Sequence, residues 1–129
     1  DFMASKPAVF RLYIENVLVD EPFMLINMMK KISDPRIGLC LDTGHANAMT
    51  DKNISVEMWI KELSPYIGHF HLHNNYGDSD THGSFEDGSL DMVSIFDSIE
   101  KYCRRDVTFT IEARDCGSCA GWLRAKGYI

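Results

Sequence analysis

The chain has 129 residues, of which 45% are hydrophobic, and it carries a formal net charge of −6. This length and apolar content suit one packed domain over residues 1–129. The charge argues against nucleic acid as a partner, because phosphate binding relies on clustered Lys and Arg, and the 13 basic residues are scattered among 19 carboxylates. No apolar run approaches the roughly 20 residues that cross a bilayer, and the first residues given show neither the basic region nor the hydrophobic stretch of a secretory signal. We therefore expect a cytoplasmic protein without a membrane partner.

The four cysteines are Cys40, Cys103, Cys116 and Cys119, and the last two form a CxxC pair. One such pair is weak evidence for zinc, because a structural zinc site needs about four ligands. We expect reduced thiols, as is usual in the cytosol, with a redox role for the pair as the alternative.

The first half of the chain alternates strand-forming and helix-forming segments. A β-branched and aromatic run over Val9–Ile14 predicts a strand that ends at Glu15. A helix follows, with Asp20 as its cap, Pro22 in its first turn and Pro35 as its stop. The next predicted strand, over residues 37–41, runs directly into Asp42, Thr43, Gly44 and His45.

The second half repeats this alternation. Its predicted elements are a helix from about Ser55 to Leu63, a strand from Ile67 to Leu72, a long polar loop over 73–82, a helix from about Asp91 to Cys103, a strand from Val107 to Ile111 and a helix from about Gly117 to Lys126. The order is βαβαβαβα, which predicts an α/β fold with four βα units and a parallel sheet covered by helices.

Each predicted strand ends, on its carboxyl side, in a residue that can bind a metal ion. These residues are Glu15, Asp42, His71 and Glu112. In parallel α/β folds the carboxyl ends of the strands meet at the face where ligands bind, so residues distant in sequence become neighbours. Three carboxylates and one imidazole form a mostly oxygen site that suits Mn²⁺, Mg²⁺ or Co²⁺. Zn²⁺ becomes an alternative if more histidines join.

Further histidines lie close to the same strand ends. His45 follows Asp42 by three residues, His73 follows His71 by two, and Asp80 and His82 form an Asp-x-His pair in the polar loop. Such clustering of Asp, Glu and His is typical of a metal or catalytic centre. His69 shares a face of its strand with His71 but sits earlier, and we interpret it as structural.

Two glutamates beside one metal ion suggest a reaction. A metal bound to adjacent substrate oxygens acidifies the neighbouring C–H bond, and one carboxylate can remove that proton while another returns it. This pattern predicts aldose–ketose isomerisation or epimerisation through an enediolate, with Glu15 and Glu112 as the catalytic pair.

These motifs together resemble the last four βα units of the xylose-isomerase-like TIM barrels. The superfamily includes sugar-phosphate isomerases and epimerases, tagatose-epimerase-type enzymes and endonuclease IV. The resemblance implies that the chain is the C-terminal half of a (β/α)8 barrel. It is carried by the segments Ile14-Glu15-Asn16, Leu41-Asp42-Thr43-Gly44-His45, His71-Leu72-His73-Asn74-Asn75, Asp80-Thr81-His82 and Ile111-Glu112.

Carried over residue by residue, the resemblance implies roles for single positions. Glu15, Asp42, His71 and Glu112 match the ligands of the single metal ion in the epimerase branch, and the two glutamates also match its proton-transferring pair. We expect His45 and His73 to contact a sugar or sugar-phosphate substrate. In endonuclease IV, the positions of His45, Asp80 and His82 join a cluster of several zinc ions.

The chain also departs from its relatives. Many of them have Asp at the position of Asn74, which is expected to alter the hydrogen bonds behind the site. Endonuclease IV has basic residues around its Asp-x-His, whereas this chain has the acidic residues Asp78, Asp80, Glu86 and Asp87. This acidity argues against a DNA phosphate as the ligand.

Four βα units are half of the eight in a full barrel of about 250 residues. The chain starts with Asp1 rather than Met, and we expect the missing half-barrel to come from the same longer protein or from a second copy in a homodimer. Three functions are open: a metal-dependent sugar or sugar-phosphate isomerase or epimerase, an endonuclease-IV-like zinc phosphodiesterase acting on abasic DNA, and an inactive barrel fragment with a binding or assembly role.

Overall fold

Four parallel strands form one sheet in which sequence order and spatial order are the same, β1-β2-β3-β4. The structure is a computed structural model that describes residues 2–49 and 53–129. The strands are Leu12–Glu15 (β1), Ile37–Asp42 (β2), Ile67–Leu72 (β3) and Thr108–Ile111 (β4). The helices are Pro22–Met29 (α1), Thr43–Ala48 (α2), Val56–Leu63 (α3), Met92–Tyr102 (α4) and Cys116–Lys126 (α5). This arrangement confirms the predicted α/β fold with the topology of half a TIM barrel.

The apolar core lies between the sheet and the helices. Trp59, Ile60 and Leu63 on one face of α3 pack with Phe70 of β3 and Ile95 of α4, and all five side chains are fully buried. Burial of each such side chain contributes roughly 1.5–3 kcal/mol. This layer holds the strands in fixed positions, so the side chains at their carboxyl ends have a rigid support.

The opposite face of the sheet is largely polar. Tyr13 stacks against His69, with ring centroids 5.9 Å apart. His69 also makes hydrogen bonds with the hydroxyl groups of Thr108 and Thr110, at 2.6 and 3.0 Å. These contacts agree with a structural role for His69.

The register between β2 and β3 shifts at Leu39 and Cys40. Leu39 pairs with Ile67, whereas Cys40 pairs with His69, so Gly68 is an extra residue in β3. The side chain of Tyr13 lies over Gly68, where a Cβ would clash with it. Because of this bulge, Asp42 pairs with His71 at the carboxyl ends of the two strands.

Three sequence predictions at element ends are wrong. The first strand begins at Leu12 rather than Val9, because the preceding residues form a turn in which the Phe10 N–H donates to the Pro7 carbonyl at 2.9 Å. The cap of α1 is Glu21 instead of Asp20, since its carboxylate accepts from the Phe23 and Met24 N–H groups. Helix α1 also stops at Met29, well before Pro35, and continues as turns.

Helix α2 was not predicted. It starts immediately after β2, where the Asp42 carboxylate accepts from the backbone N–H of His45 and caps the helix. The helices α3 and α4 begin, as predicted, behind Ser55 and Asp91, whose side chains cap them. Within the described residues, helices long and apolar enough to cross a membrane are absent.

Candidate metal centre at the carboxyl ends of the strands

The four residues of the predicted metal core lie together at one end of the sheet. Glu15 and Asp42 are the last residues of β1 and β2, His71 is the last but one of β3, and Glu112 directly follows β4. The parallel register places Asp42 opposite His71. One residue therefore comes from each of four neighbouring strands, as the sequence predicts.

Three carboxylates surround one nitrogen of His71. The distances from His71 Nδ1 are 3.1 Å to Glu112 Oε1, 3.7 Å to Glu15 Oε1 and 3.8 Å to Asp42 Oδ2. Glu15, Asp42 and His71 form a group whose potential ligand atoms all lie within 4.8 Å of one another. The lone pairs of these groups thus converge on a common small volume.

The donor set fits a divalent cation. Two ligands at right angles, each about 2.1 Å from one octahedral ion, are about 3.0 Å apart. The distance from His71 Nδ1 to Glu112 Oε1 is close to this value, and the distances to Glu15 and Asp42 are somewhat longer. Considering only the described residues, the buried atoms Asp42 Oδ2 and His71 Nδ1 make no hydrogen bond of acceptable geometry, even though Glu112 Oε1 lies 3.1 Å from Nδ1. Buried polar atoms are rarely left unsatisfied, and carboxylates that lie close together repel one another unless a positive charge lies between them. A hard cation would satisfy both requirements.

The two carboxylate oxygens of Asp42 have different surroundings. Oδ1 accepts from the His45 N–H at 2.7 Å and lies 3.0 Å from His73 Nε2. Oδ2 faces His71 instead. Burial alone would raise the pKa of Asp42, but the hydrogen bonds and charges of His73 and His45 outweigh burial and lower it. Asp42 is therefore a carboxylate with one oxygen available for a cation.

Asn16 fixes the backbone next to this carboxylate. Its side-chain carbonyl accepts from the Asp42 N–H at 2.7 Å, and its amide donates to the Asp42 carbonyl at 3.1 Å. The side chain is almost fully buried. The strand pattern alone predicts no role for Asn16, although its place directly after Glu15 at a strand end is a usable signal.

The outer set of predicted residues surrounds Asp80. Its Oδ2 atom lies 3.2 Å from His45 Nε2 and 3.2 Å from His82 Nε2. The other nitrogen of the His45 ring, Nδ1, lies 3.1 Å from Glu15 Oε1. His45 thus connects the core residues to the loop residues Asp80 and His82.

The His82 backbone has φ of +52°, a left-handed conformation that is uncommon for a residue with a side chain. Two contacts to the segment after β4 hold it. His82 Nδ1 lies 2.8 Å from the Glu112 carbonyl oxygen, and the Arg114 N–H donates to the His82 carbonyl at 2.9 Å. Strain of this kind is concentrated at functional sites and costs about 1–3 kcal/mol.

His73 lies deeper than the other histidines and is fully buried. Its ring stacks on that of His82, with centroids 4.1 Å apart. Burial alone would lower the pKa of His73, but the hydrogen bond to Asp42 and the charges of Asp42 and Asp80 raise it above the ordinary value. Together with Asp80 and His82, His73 forms a second group with the spacing of metal ligands.

Asn74 holds the loop that carries Asp80 and His82. Its amide group donates to the carbonyl groups of Phe85 and Leu90, both at 3.0 Å. Its side-chain oxygen accepts from the N–H groups of Asn75 and Leu90, at 2.9 and 3.0 Å. Both ends of the side chain are therefore saturated by the loop, which explains why an amide suits this position.

The polar face of the sheet, opposite the apolar core, contains a third group of potential ligands, Cys40, His69 and His71. Burial raises the pKa of the Cys40 thiol to about 12, and the charges of Glu15 and Asp42 contribute to this rise. Cys40 is thus a neutral thiol, whereas a cysteine ligand is a thiolate. In the described part of the chain all four cysteines are free thiols.

Comparison with solved structures supports the fold. The crystal structure of a D-tagatose 3-epimerase-like protein matches 92% of this chain with a TM-score of 0.73 and 20% sequence identity. The match covers 47% of that protein's chain. At this level of identity the likeness concerns the fold alone.

Two sequence comparisons complete the assignment. An uncharacterized protein of Methanocaldococcus jannaschii is 27% identical over 85 residues, which is 66% of this chain and 29% of the relative. The matched part of the chain therefore spans less than half the length of each of these two proteins. The family described as the xylose isomerase-like TIM barrel matches residues 3–125. With nearly its whole length matched, this chain belongs to the xylose isomerase-like TIM barrel family.

Proposed function

We propose that this chain supplies the metal centre and the proton-transferring carboxylates of a divalent-metal-dependent isomerase or epimerase that acts on a sugar or sugar phosphate. The observation that carries the proposal is the placement of two glutamates beside the same imidazole. Glu15 Oε1 and Glu112 Oε1 lie 3.7 and 3.1 Å from His71 Nδ1. The family and the epimerase-like fold support a sugar isomerase or epimerase.

The metal ion would be held by Glu15, Asp42, His71 and Glu112, with Mn²⁺, Mg²⁺ or Co²⁺ as the preferred ions. When bound, it would polarise adjacent hydroxyl and carbonyl oxygens of the substrate and make the neighbouring C–H bond more acidic. Asp42, whose Oδ1 is occupied by His45 and His73, would present Oδ2.

The two glutamates would divide the proton transfer between them. One carboxylate takes the proton from the substrate carbon, which leaves an enediolate, and the other carboxylic acid returns a proton. Return to the opposite face of the same carbon gives an epimer, and return to the adjacent carbon gives the isomer. Both side chains are partly exposed, at 28% for Glu15 and 31% for Glu112, so a substrate can reach them.

His45 is the best placed of the two predicted substrate contacts. Its ring lies between Glu15 and Asp80, with nitrogens 3.1 and 3.2 Å from their carboxylate oxygens. A ring in this position can orient a substrate hydroxyl or the Glu15 carboxylate. The acidic loop around it favours a neutral sugar portion at this end of the site.

The test is exchange of the substrate proton with solvent. In D₂O, a panel of ketoses and ketose phosphates is incubated with the protein, and deuterium at the carbon next to the carbonyl is measured by NMR. Glu112→Gln and Glu15→Gln keep an oxygen ligand but lose the base, so exchange should fall about 10²–10⁴-fold. Metal content is measured in parallel.

Glu86→Gln is the matched control, because it makes the same change at an exposed glutamate of the loop. It should leave exchange at the wild-type rate. Wild-type exchange rates in both Glu15→Gln and Glu112→Gln would contradict the assigned roles.

One observation favours an endonuclease-IV-like phosphodiesterase as the second candidate. His73, Asp80 and His82 have the spacing of a further set of metal ligands. The number of bound metal ions separates the two functions. Elemental mass spectrometry on protein purified without chelator should find one Mn²⁺, Mg²⁺ or Co²⁺ for the isomerase, whereas two or three Zn²⁺ with nicking of abasic DNA would support the nuclease.

A further inference from the structure

A fully buried imidazole lies between the two sets of acidic residues. His73 Nε2 is 3.0 Å from Asp42 Oδ1 and 3.5 Å from Asp80 Oδ1. Its side chain has no exposed surface in the described structure. A substrate hydroxyl therefore has no access to the ring. The predicted role of His73 as a direct substrate contact does not agree with this burial, and the ring needs another role.

The surroundings of the ring allow very little movement. One face stacks on His82, with an angle of 10° between the ring planes. The backbone of Gly44 lies so close on another side that a Cβ there would clash with the ring. The main chain of His73 is also held, because the Thr43 hydroxyl donates to its carbonyl at 3.0 Å. The ring is thus a rigid support for the atoms that it touches.

The atom that it supports most directly is Asp42 Oδ1. A free carboxylate can rotate and offer either oxygen or both to a metal ion. Here the His45 N–H occupies Oδ1 from one direction at 2.7 Å, and His73 Nε2 approaches the same oxygen at 3.0 Å. Oδ1 is then saturated, and Oδ2 points toward His71 Nδ1.

We infer that His73 is a positioning residue, whose Nε2–H donates to Asp42 Oδ1 and so fixes Oδ2 as the single oxygen that Asp42 presents to the metal ion. The inference rests on the metal centre of the proposed function. Hydrogen bonds behind a metal ligand set its orientation, and their loss typically weakens metal affinity about 10–100-fold.

Substitutions at position 73 separate the hydrogen bond from the shape of the side chain. In His73→Gln, the amide nitrogen can replace Nε2 as the donor, whereas His73→Met has nearly the same length without a donor. His73→Phe keeps an aromatic ring for the stack on His82 and also lacks the donor. It serves as the second variant if His73→Met does not fold.

The readout is the affinity of the metal-free protein for Mn²⁺, measured by calorimetry, with the Mn²⁺ electron paramagnetic resonance spectrum as a monitor of the ligand set. The Kd should rise about 10–100-fold in His73→Met and His73→Phe and stay close to the wild-type value in His73→Gln. The spectrum should change in the donor-free variants alone. A structural role would lower the melting temperature without this dependence on the donor.

The outcomes separate this inference from the proposed function. Unchanged Mn²⁺ affinity in folded His73→Met and His73→Phe would overturn the role of His73 while the metal centre stands. Equal weakening in all three variants, His73→Gln included, would also overturn it. A wild-type protein that binds no divalent cation would overturn the proposed function and this inference with it.

Discussion

The backbone of Gly44 packs directly against the imidazole ring of His73, with no room for a Cβ between them. Gly44 is the second residue of helix α2, where alanine would otherwise be the better helix former. The glycine is therefore required by the close approach of the histidine, and the two positions should be energetically coupled.

We expect Gly44→Ala to lower the free energy of unfolding by about 1–3 kcal/mol, as overpacking of a rigid core usually does. In a His73→Ala background the added methyl group meets a cavity, so the same substitution should cost much less or stabilise the protein. Urea unfolding of the wild type, the two single variants and the double variant measures the coupling. Additive effects would show that the ring does not limit position 44.

Asn74→Asp should destabilise the protein. A carboxylate would face the carbonyl groups of Phe85 and Leu90, to which the Asn74 amide now donates. We expect a loss of about 3–5 kcal/mol in the free energy of unfolding, because both donors disappear and a buried charge is left unpaired.

The pH dependence of that loss has a definite sign. Burial raises the pKa of a carboxylate, so the folded variant binds its proton more tightly than the unfolded chain and loses stability as the pH rises above about 4. Asn27→Asp is the control, because it makes the same change at an exposed position of α1. Equal stability of the two variants at pH 7 would contradict the role given to Asn74.

Asp34 and Arg36 form a pair before β2 whose titration can be measured. The Arg36 side chain donates to both carboxylate oxygens, at 3.0 and 2.6 Å, and its N–H donates to Oδ1 at 2.9 Å. The side-chain hydrogen bonds from Arg36 are the main cause that lowers the pKa of Asp34 to about 2.

Since the folded pKa lies below the ordinary value of 3.8, the pair stabilises the protein above that pH, and this stabilisation is lost as the pH falls toward about 2. Carboxyl ¹³C NMR should give a midpoint near 2 for Asp34 in the wild type and a clearly higher midpoint in Arg36→Met, still below 3.8 because the backbone N–H of residue 36 continues to donate to the carboxylate. Arg104→Met removes an arginine that contacts Asp106 instead, and it should leave the Asp34 midpoint unchanged.

The elements with a strong hydrophobic pattern could be predicted from the sequence. Strand β3 has the predicted ends Ile67 and Leu72, and α3 follows Ser55 as expected. In both cases the buried side chains repeat with the period of the element, so the local pattern and the tertiary packing agree.

The elements that depend on tertiary contacts could not be predicted. Helix α2 has the sequence Thr-Gly-His-Ala-Asn-Ala, which is weak in helix propensity. It forms because Asp42 caps it and because Ala46 is buried against the core. The spacing of apolar residues does not reveal this helix, because the residue that caps it, Asp42, is interpreted from the sequence as a metal ligand.

Part of the candidate site could be predicted from the sequence, and part of it could not. Strand ends predicted that Glu15, Asp42, His71 and Glu112 meet, since parallel strands finish at one edge of a sheet. The support behind them, made by Asn16, His73 and Asn74, depends on the direction of individual side chains. These residues have no periodic signal, and their roles follow from hydrogen bonds between distant parts of the chain.

The bulge at Gly68 limits how the length of this chain can change during evolution. If the same sequence paired from Leu39 and Ile67 onward without a bulge, Asp42 would lie opposite Phe70 instead of His71. Loops far from the site can gain or lose residues without altering this pairing. Deletion of Gly68 would remove the bulge and leave Asp42 opposite His71, whereas one residue inserted between His69 and Phe70 would place Phe70 opposite Asp42 and turn His71 to the other face of the sheet. We therefore expect this strand to tolerate the loss of its bulge residue and to exclude an insertion after it.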